Sequence, residues 1–361
     1  MRFKKNWDES RARYECWWNR SSMGRPLLHL VAVRCEKPLP PVQCQKAEEL
    51  YLNAEKIVQQ KRLWAEQCNF DYAEAYPSVD LNLGPGSLAC YLGAEPHFTE
   101  DTVWYEPCVK QDWKDFPPLN FHQQNRWFQT HLSMFHKANQ IIQGDFAINI
   151  PDLIENLDIL AALRGPQELC CDLMDNPQEI QRRVQELDDL YFRYYDSFYQ
   201  ICKLDGGSSY TAFSIWGKGR VAKVQCDFSA MISPNQFREF VLESLRKQCR
   251  SFNHSLYHLD GPDALRHLDA VLEIQELDAV QWVPGAGNPG MWEECWFPVY
   301  EKIRKAEKSL WIQIDGSNAE ELIAKAEPLV KRFGHDGLFL IFPPLPEADA
   351  WQLLKRADTY W

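Results

Sequence analysis

Short apolar runs alternate with longer stretches in which apolar residues recur at the helical period, and this rhythm fills most of the chain. Leu27 to Val33 reads as a strand after Arg25-Pro26. A long amphipathic helix follows over roughly 43–68, then a glycine-rich loop, Asn82-Leu83-Gly84-Pro85-Gly86-Ser87, then a helix over about 123–142. Phe146 to Ile150 reads as a strand, with Pro151 and Asp152 starting a helix that ends at Arg164-Gly165. Asn176-Pro177 opens a longer helix that reaches Asp205-Gly206-Gly207. Beyond it the pattern is regular. Strands are expected at 221–226, 255–257, 279–283, 310–314 and 338–342. Helices are expected from Ser233-Pro234, Pro262, Met291, Asn318 and Glu347.

Strand–helix repeats of this kind imply a parallel sheet with right-handed crossovers. The strand count is close to eight, so the expected fold is an α/β single domain, a (β/α)8 TIM-type barrel over 26–361, with an open doubly wound sheet as the alternative. Residues 1–25 read as an irregular N-terminal extension packed on the barrel, with Trp17-Trp18 buried there.

The 361 residues suit one large α/β domain, and the composition is ordinary for a globular protein. A net charge of −12 and the lack of any basic stripe argue against a nucleic-acid partner. No apolar stretch reaches the length of a membrane span. Twelve cysteines are scattered with no C-x-x-C, and the N-terminus has no apolar core of a signal peptide. The expectation is a cytoplasmic protein with reduced thiols.

In a barrel the C-terminal ends of the strands converge on one mouth. The polar residues expected there are Arg34, Asn82, Asp152, Asp227, His258, Asp260 and Asp315. His258-Leu259-Asp260-Gly261 stands out, because residues two apart on an extended backbone point to the same side. Asp227, His258 and Asp315 are the catalytic candidates, and His258 with Asp260 the metal candidates. A third ligand would come from Asp227 or Asp315. Such a set makes either a proton-transfer site or a site for zinc or another divalent metal. Arg34 could equally be a surface ion pair, Asp227 a helix-cap carboxylate, and Asp315 part of a helix-entry turn. Arg34, Asn82, Trp282, Gly285 and Gly287 are the substrate-binding candidates, Trp282 as a flat apolar wall.

Gly285-Ala286-Gly287-Asn288-Pro289-Gly290 matches the G-x-G-x-x-G dinucleotide fingerprint in form. Pro284 and Pro289 remove amide donors near the place of a pyrophosphate, which argues against that use. The milder expectation is a loop that approaches a ligand by its backbone, with a helix N-terminus at Met291 as an anion site.

Several stretches carry a resemblance. They are Asp227-Phe228-Ser229-Ala230-Met231-Ile232-Ser233-Pro234 with Phe237 and Phe240, His258-Leu259-Asp260-Gly261, Asn82 to Gly93, and Gly337-Leu338-Phe339-Leu340. Together they resemble the uroporphyrinogen decarboxylase superfamily over roughly 25–361. That resemblance implies a distorted (β/α)8 barrel with its site at the C-terminal mouth. The superfamily holds porphyrinogen decarboxylases and zinc-dependent methyltransferases that act with corrinoid proteins or coenzyme M. The decarboxylases carry Arg-Gln-Ala-Gly-Arg near the N-terminus, where this chain reads Ser22-Met23-Gly24-Arg25-Pro26. The methyltransferases use His-x-Cys and a second Cys after the last strand. Here Asp260 replaces the first Cys and Phe342-Pro343-Pro344 follows the last strand.

The resemblance therefore implies a methyltransferase-like enzyme moving a methyl group to or from a corrinoid, free or protein-bound. Its partners would be a corrinoid protein and a small methyl donor or acceptor, and a homodimer is the oligomer to look for. The alternatives are a lyase, decarboxylase or hydrolase using His258 and the carboxylates on an acidic substrate, and a non-catalytic corrinoid- or tetrapyrrole-binding protein.

Overall fold

A computed structural model describes residues 1–34, 46–210 and 212–361. The strands that matter for the site are β1 (Leu27–His29), β2 (Ser78–Val79), β3 (Ala147–Ile150), β4 (Gly207–Tyr210), β5 (Ile215–Lys218), β6 (Val221–Gln225), β7 (His254–Asp260), β8 (Ala279–Val283), β9 (Ser309–Gln313) and β10 (Leu338–Ile341). They form two arcs. One is a six-stranded sheet in the order β1-β10-β9-β8-β7-β6, parallel throughout. The other is a four-stranded sheet in the order β2-β3-β4-β5, whose last pair is antiparallel. Helices follow most strands, as buried parallel strands require.

The result is a TIM-like α/β architecture, but no strand ladder closes it into a barrel among the described residues. Side chains span the gaps instead. Between β6 and β4, the Ser208 hydroxyl accepts from Val221 N at 3.0 Å and donates to Gly219 O at 2.9 Å. Tyr195 donates to Val221 O at 2.7 Å. Glu155 accepts from Gln225 N at 2.7 Å, and Asn156 donates to Gln225 O at 2.8 Å. The free edge of β6 is thus hydrogen-bonded at Val221 and Gln225 by side chains rather than by a strand, so the backbone groups there are not left bare. Between β1 and β2, Glu74 N donates to Leu28 O at 3.0 Å while the Glu74 carboxylate accepts from Leu28 N at 2.9 Å.

Several sequence expectations change. The N-terminal extension is a helix, α1 (Trp7–Trp18), not irregular chain. Its Trp7, Tyr14 and Trp18 recur on one face and are buried. It seals the N-terminal end of the strands. Trp17 Nε1 donates to Leu310 O at 3.1 Å, and Ser309 Oγ donates to Trp17 O at 2.6 Å. Leu27–Val33 is split, with Leu27–His29 in the main sheet and Ala32–Val33 in a small rim sheet paired with Leu345–Pro346 and Cys68–Asn69. The long helix expected over 43–68 breaks at Asn53, which caps the second segment by accepting from Lys56 N; residues 43–45 lie outside the described ones. The β4–β5 hairpin was not expected at all. The predicted helix from Ser233 does form, with a full capping box to Gln236. No helix among the described residues is long and apolar enough to cross a membrane.

One buried acid of the helix layer gives a pH test. Asp188, on the helix Pro177–Cys202, is 6% exposed and meets the Ser244 hydroxyl. Burial pushes its carboxyl up to about 6, opposed by Ser244 and Lys247. An unfolded Asp titrates near ~3.9. Across the window between these values the folded state holds a proton that the unfolded chain has released. Stability from this group is therefore full below about pH 4 and is lost as pH rises through about 6. Asp188→Asn is expected to flatten this part of the urea-unfolding stability profile. A variant with the wild-type slope between pH 4 and 6 would contradict it.

Candidate functional site

Three strands of the larger arc build the site. Buried parallel strands usually read as continuous apolar runs. Here β6 carries Lys223 and Gln225 and is followed by Asp227; β7 carries His258 and Asp260; β8 carries Gln281. Register places Gln225 beside His258 and His258 beside Gln281, so all three side chains share one face. After β6 the chain turns sharply into a short 3-10 helix, Asp227–Met231. Asp158 holds that turn, accepting from Asp227 N at 2.9 Å and from Phe228 N at 2.7 Å.

Asp227, His258 and Asp260 converge. One donor atom from each lies within 4.8 Å of the other two, close enough to hold one metal ion. His258 Nδ1 is 2.6 Å from Gln281 Oε1. A carboxamide oxygen only accepts, so Nδ1 carries the proton. Burial, followed by the Lys223 ammonium, holds the imidazole below its ordinary range, so it is neutral and Nε2 keeps a lone pair. This is the orientation a metal ligand or a general base needs. Asp227 keeps solvent contact at the rim, yet protein crowds its carboxyl. That desolvation, with the Asp158 and Asp260 carboxylates, pushes it up to about 7, while Lys223 and Gln225 oppose the shift.

A polar network stands behind these three. The Gln225 amide nitrogen donates to Asp227 Oδ2 at 2.8 Å and to Asp158 Oδ2 at 3.0 Å. Its oxygen accepts from the Lys223 ammonium. Lys223 is also 2.8 Å from Asp152 Oδ1, which accepts from Tyr210 at 3.0 Å. Phe213, at the tip of the β4–β5 hairpin, meets the His258 ring edge-on at 5.5 Å and lies 5.7 Å from Lys223 Nζ. The segment feeding Asp158 is strained. Ile154 (φ 54°) and Asn156 (φ 44°) are non-glycine residues at positive φ on either side of Glu155, which is 2% exposed.

The other sequence candidates stand elsewhere. Asp315 is not in the converging set; its carboxylate accepts from Gln313 Nε2 at 2.8 Å. Arg34 is half-exposed beside Glu347 at 3.9 Å, which matches the surface ion pair. Asn82 accepts from Gly84 N at 3.0 Å and so builds the turn of its own loop. Trp282 follows Gln281 and therefore points to the opposite face of β8. It is fully buried against Trp296 at 5.2 Å, in the helix layer rather than as a wall of the mouth. Gly285 and Gly287 have φ of 79° and 82° in an exposed loop, with open space where a Cβ would stand. Their conformation needs glycine; no close approach does. No helix begins at Met291. A 3-10 turn covers Glu294–Trp296 and the helix starts at Phe297, so the anion site expected at Met291 is not built.

Sequence reasoning did not single out Lys223, Gln225, Asp158 or Gln281. The signal was present: polar residues at every second position of an otherwise apolar strand, as in Lys223-x-Gln225-x-Asp227.

No family model matches the chain. No curated protein matches its sequence. Its fold is similar to that of a methyltransferase from Methanosarcina mazei, with a TM-score of 0.63 over 97% of this chain and 98% of that one, at 13% identity.

Proposed function

We propose that this chain is a metal-assisted methyltransferase on the uroporphyrinogen decarboxylase-like plan, passing a methyl group between a small donor or acceptor and a corrinoid. The observation that carries this reading is the convergence of Asp227, His258 and Asp260 at the C-terminal end of the strands. The fold shared with an archaeal methyltransferase supports it. The donors suit a metal. One neutral imidazole is oriented by Gln281, and two carboxylates stand close enough to repel each other without a cation. With oxygen and nitrogen donors and no thiolate, zinc or a harder divalent ion fits the set. Bound there, it would act as a Lewis acid toward the heteroatom that gives up or receives the methyl group.

The chain's own residues do the rest. Gln281 fixes the imidazole tautomer, and Gln225 fixes one oxygen of Asp227. In a methyl transfer the bond to the donor heteroatom breaks with its electron pair left on that atom, and the acceptor supplies the new pair. Phe213 shields one side of His258 from water. A corrinoid would have to be delivered from outside, by a partner protein or free in solution.

Elemental analysis of the purified protein, with visible spectra of added cobalamin in the presence of methylated thiols and amines, tests the reading. Bound divalent metal together with a shift between cobalamin methylation states is the expected result. A corrinoid spectrum that changes on binding but never turns over would make the protein a carrier instead. Metal with no corrinoid response would favour hydrolytic or lyase chemistry with His258 as base.

A further inference from the structure

We infer that Lys223 is a positioning residue for Asp227, acting through Gln225 to decide which oxygen of that carboxylate is left for a ligand. The inference rests on the metal-site reading above and names what holds that site in shape.

Lys223 is 1% exposed in the interior of β6. A buried lysine is costly unless its charge is matched, and Asp152 matches it at 2.8 Å. Neutralisation alone does not explain its second contact, with the Gln225 side chain. An ammonium has donors and no acceptor, so it must face Oε1 of the carboxamide. The nitrogen end then faces Asp158 and Asp227, and its two hydrogens meet two carboxylate oxygens at 3.0 and 2.8 Å. A flipped amide would set its oxygen against two carboxylates and its N–H groups against an ammonium. Both ends would repel, so one orientation is selected.

The backbone of Gln225 is fixed as well, by Glu155 at its N–H and Asn156 at its carbonyl. The consequence reaches Asp227. Its Oδ2 is engaged by Gln225, so Oδ1 is the oxygen without that donor and the one the inference assigns to a ligand shared with His258 and Asp260. Asp158, the amide's other acceptor, has both oxygens committed to Gln225, Asp227 N and Phe228 N, and so is no ligand.

Cobalt(II) titration of the full chain, followed by visible absorption, tests this. Lys223→Met alone leaves Asp152 uncompensated and risks misfolding, so the decisive variant is the double Lys223→Met/Asp152→Leu, which removes both charges. If Lys223 positions Gln225, the double variant binds cobalt about 10- to 100-fold more weakly than wild type, as loss of outer partners typically does, with an altered absorption spectrum. Lys223→Arg, which keeps a cation facing Oε1, should recover part of the affinity. A double variant that binds like wild type with the same spectrum would show that Lys223 only balances Asp152, and would overturn the inference while leaving the metal site intact. Wild-type protein that binds no more cobalt than His258→Ala removes the metal site, and the inference falls with it.

Discussion

His258→Ala lowers divalent-metal affinity on the order of 100-fold or more, while Cys226→Ser leaves it unchanged. The imidazole is the sole neutral donor of the converging set. Without it, two carboxylates remain that must each lose solvation to share an ion, and the Nε2 lone pair oriented by Gln281 is gone. Cys226 lies next to Asp227 in sequence but is 3% exposed, and burial pushes its thiol well above the usual range. It therefore offers no thiolate. Chelator treatment, reloading with zinc and elemental analysis of both variants measure this. Full metal content in His258→Ala, or loss of metal in Cys226→Ser, would reassign the site. Circular dichroism on the same samples guards against a folding artefact, because His258 makes one side-chain hydrogen bond and its removal should leave the fold intact.

Arg25→Met should destabilise the protein by about 3–5 kcal/mol, the cost typical of breaking a buried ion pair by removing one partner. Arg25 and Glu74 are 5% and 2% exposed. They are joined by two parallel hydrogen bonds of 2.8 Å each. Arg25 also reaches Pro26 O and Asp358. Glu74 in turn is the group that bridges β1 to the β2 segment. Methionine leaves that carboxylate buried with Arg13 as its ion-pair neighbour at 3.5 Å, the charge of Lys4 also acting on it. That neighbour sets the expectation toward the lower end of the range. Equilibrium urea unfolding measures the loss, and a change below about 1 kcal/mol would mean that Arg13 and solvent replace the pair in full. Arg25→Met/Glu74→Gln should recover part of it, since the buried carboxylate is no longer charged.

The sequence made the strand–helix rhythm of the second half plain, because each buried strand is an apolar run flanked by proline, glycine or a cap. β8 is read to the residue, and β6, β9 and β10 to within one. The chain before β6 was harder to read. The β4–β5 hairpin carries Ser208, Ser209 and Gly217 and has no apolar run to announce it. α1 was hidden by its many polar residues and is held by three tryptophans and Tyr14 rather than by a broad apolar face. At the site, the His258-x-Asp260 spacing pointed to two side chains on one face, and Asp227 joins them in space. Trp282 and Asp315 could not be sorted by position alone. One residue of offset along a strand exchanges the ligand face for the helix face, and a loop residue one step past a strand end can point either way.

The hydrogen bonding along the edge of β6 has a dynamic consequence. A ladder between two strands opens only when several bonds break together, whereas bonds to separate side chains break one at a time. Tyr195, Ser208, Glu155 and Asn156 each hold one backbone group of that edge. Breathing is therefore concentrated where the two arcs meet, and the amides of Val221 and Gln225 exchange with solvent through small local openings rather than through unfolding of the whole sheet. Since Lys223 and Gln225 stand on this same strand, the seam where local opening is expected is also the one that carries the support of the site.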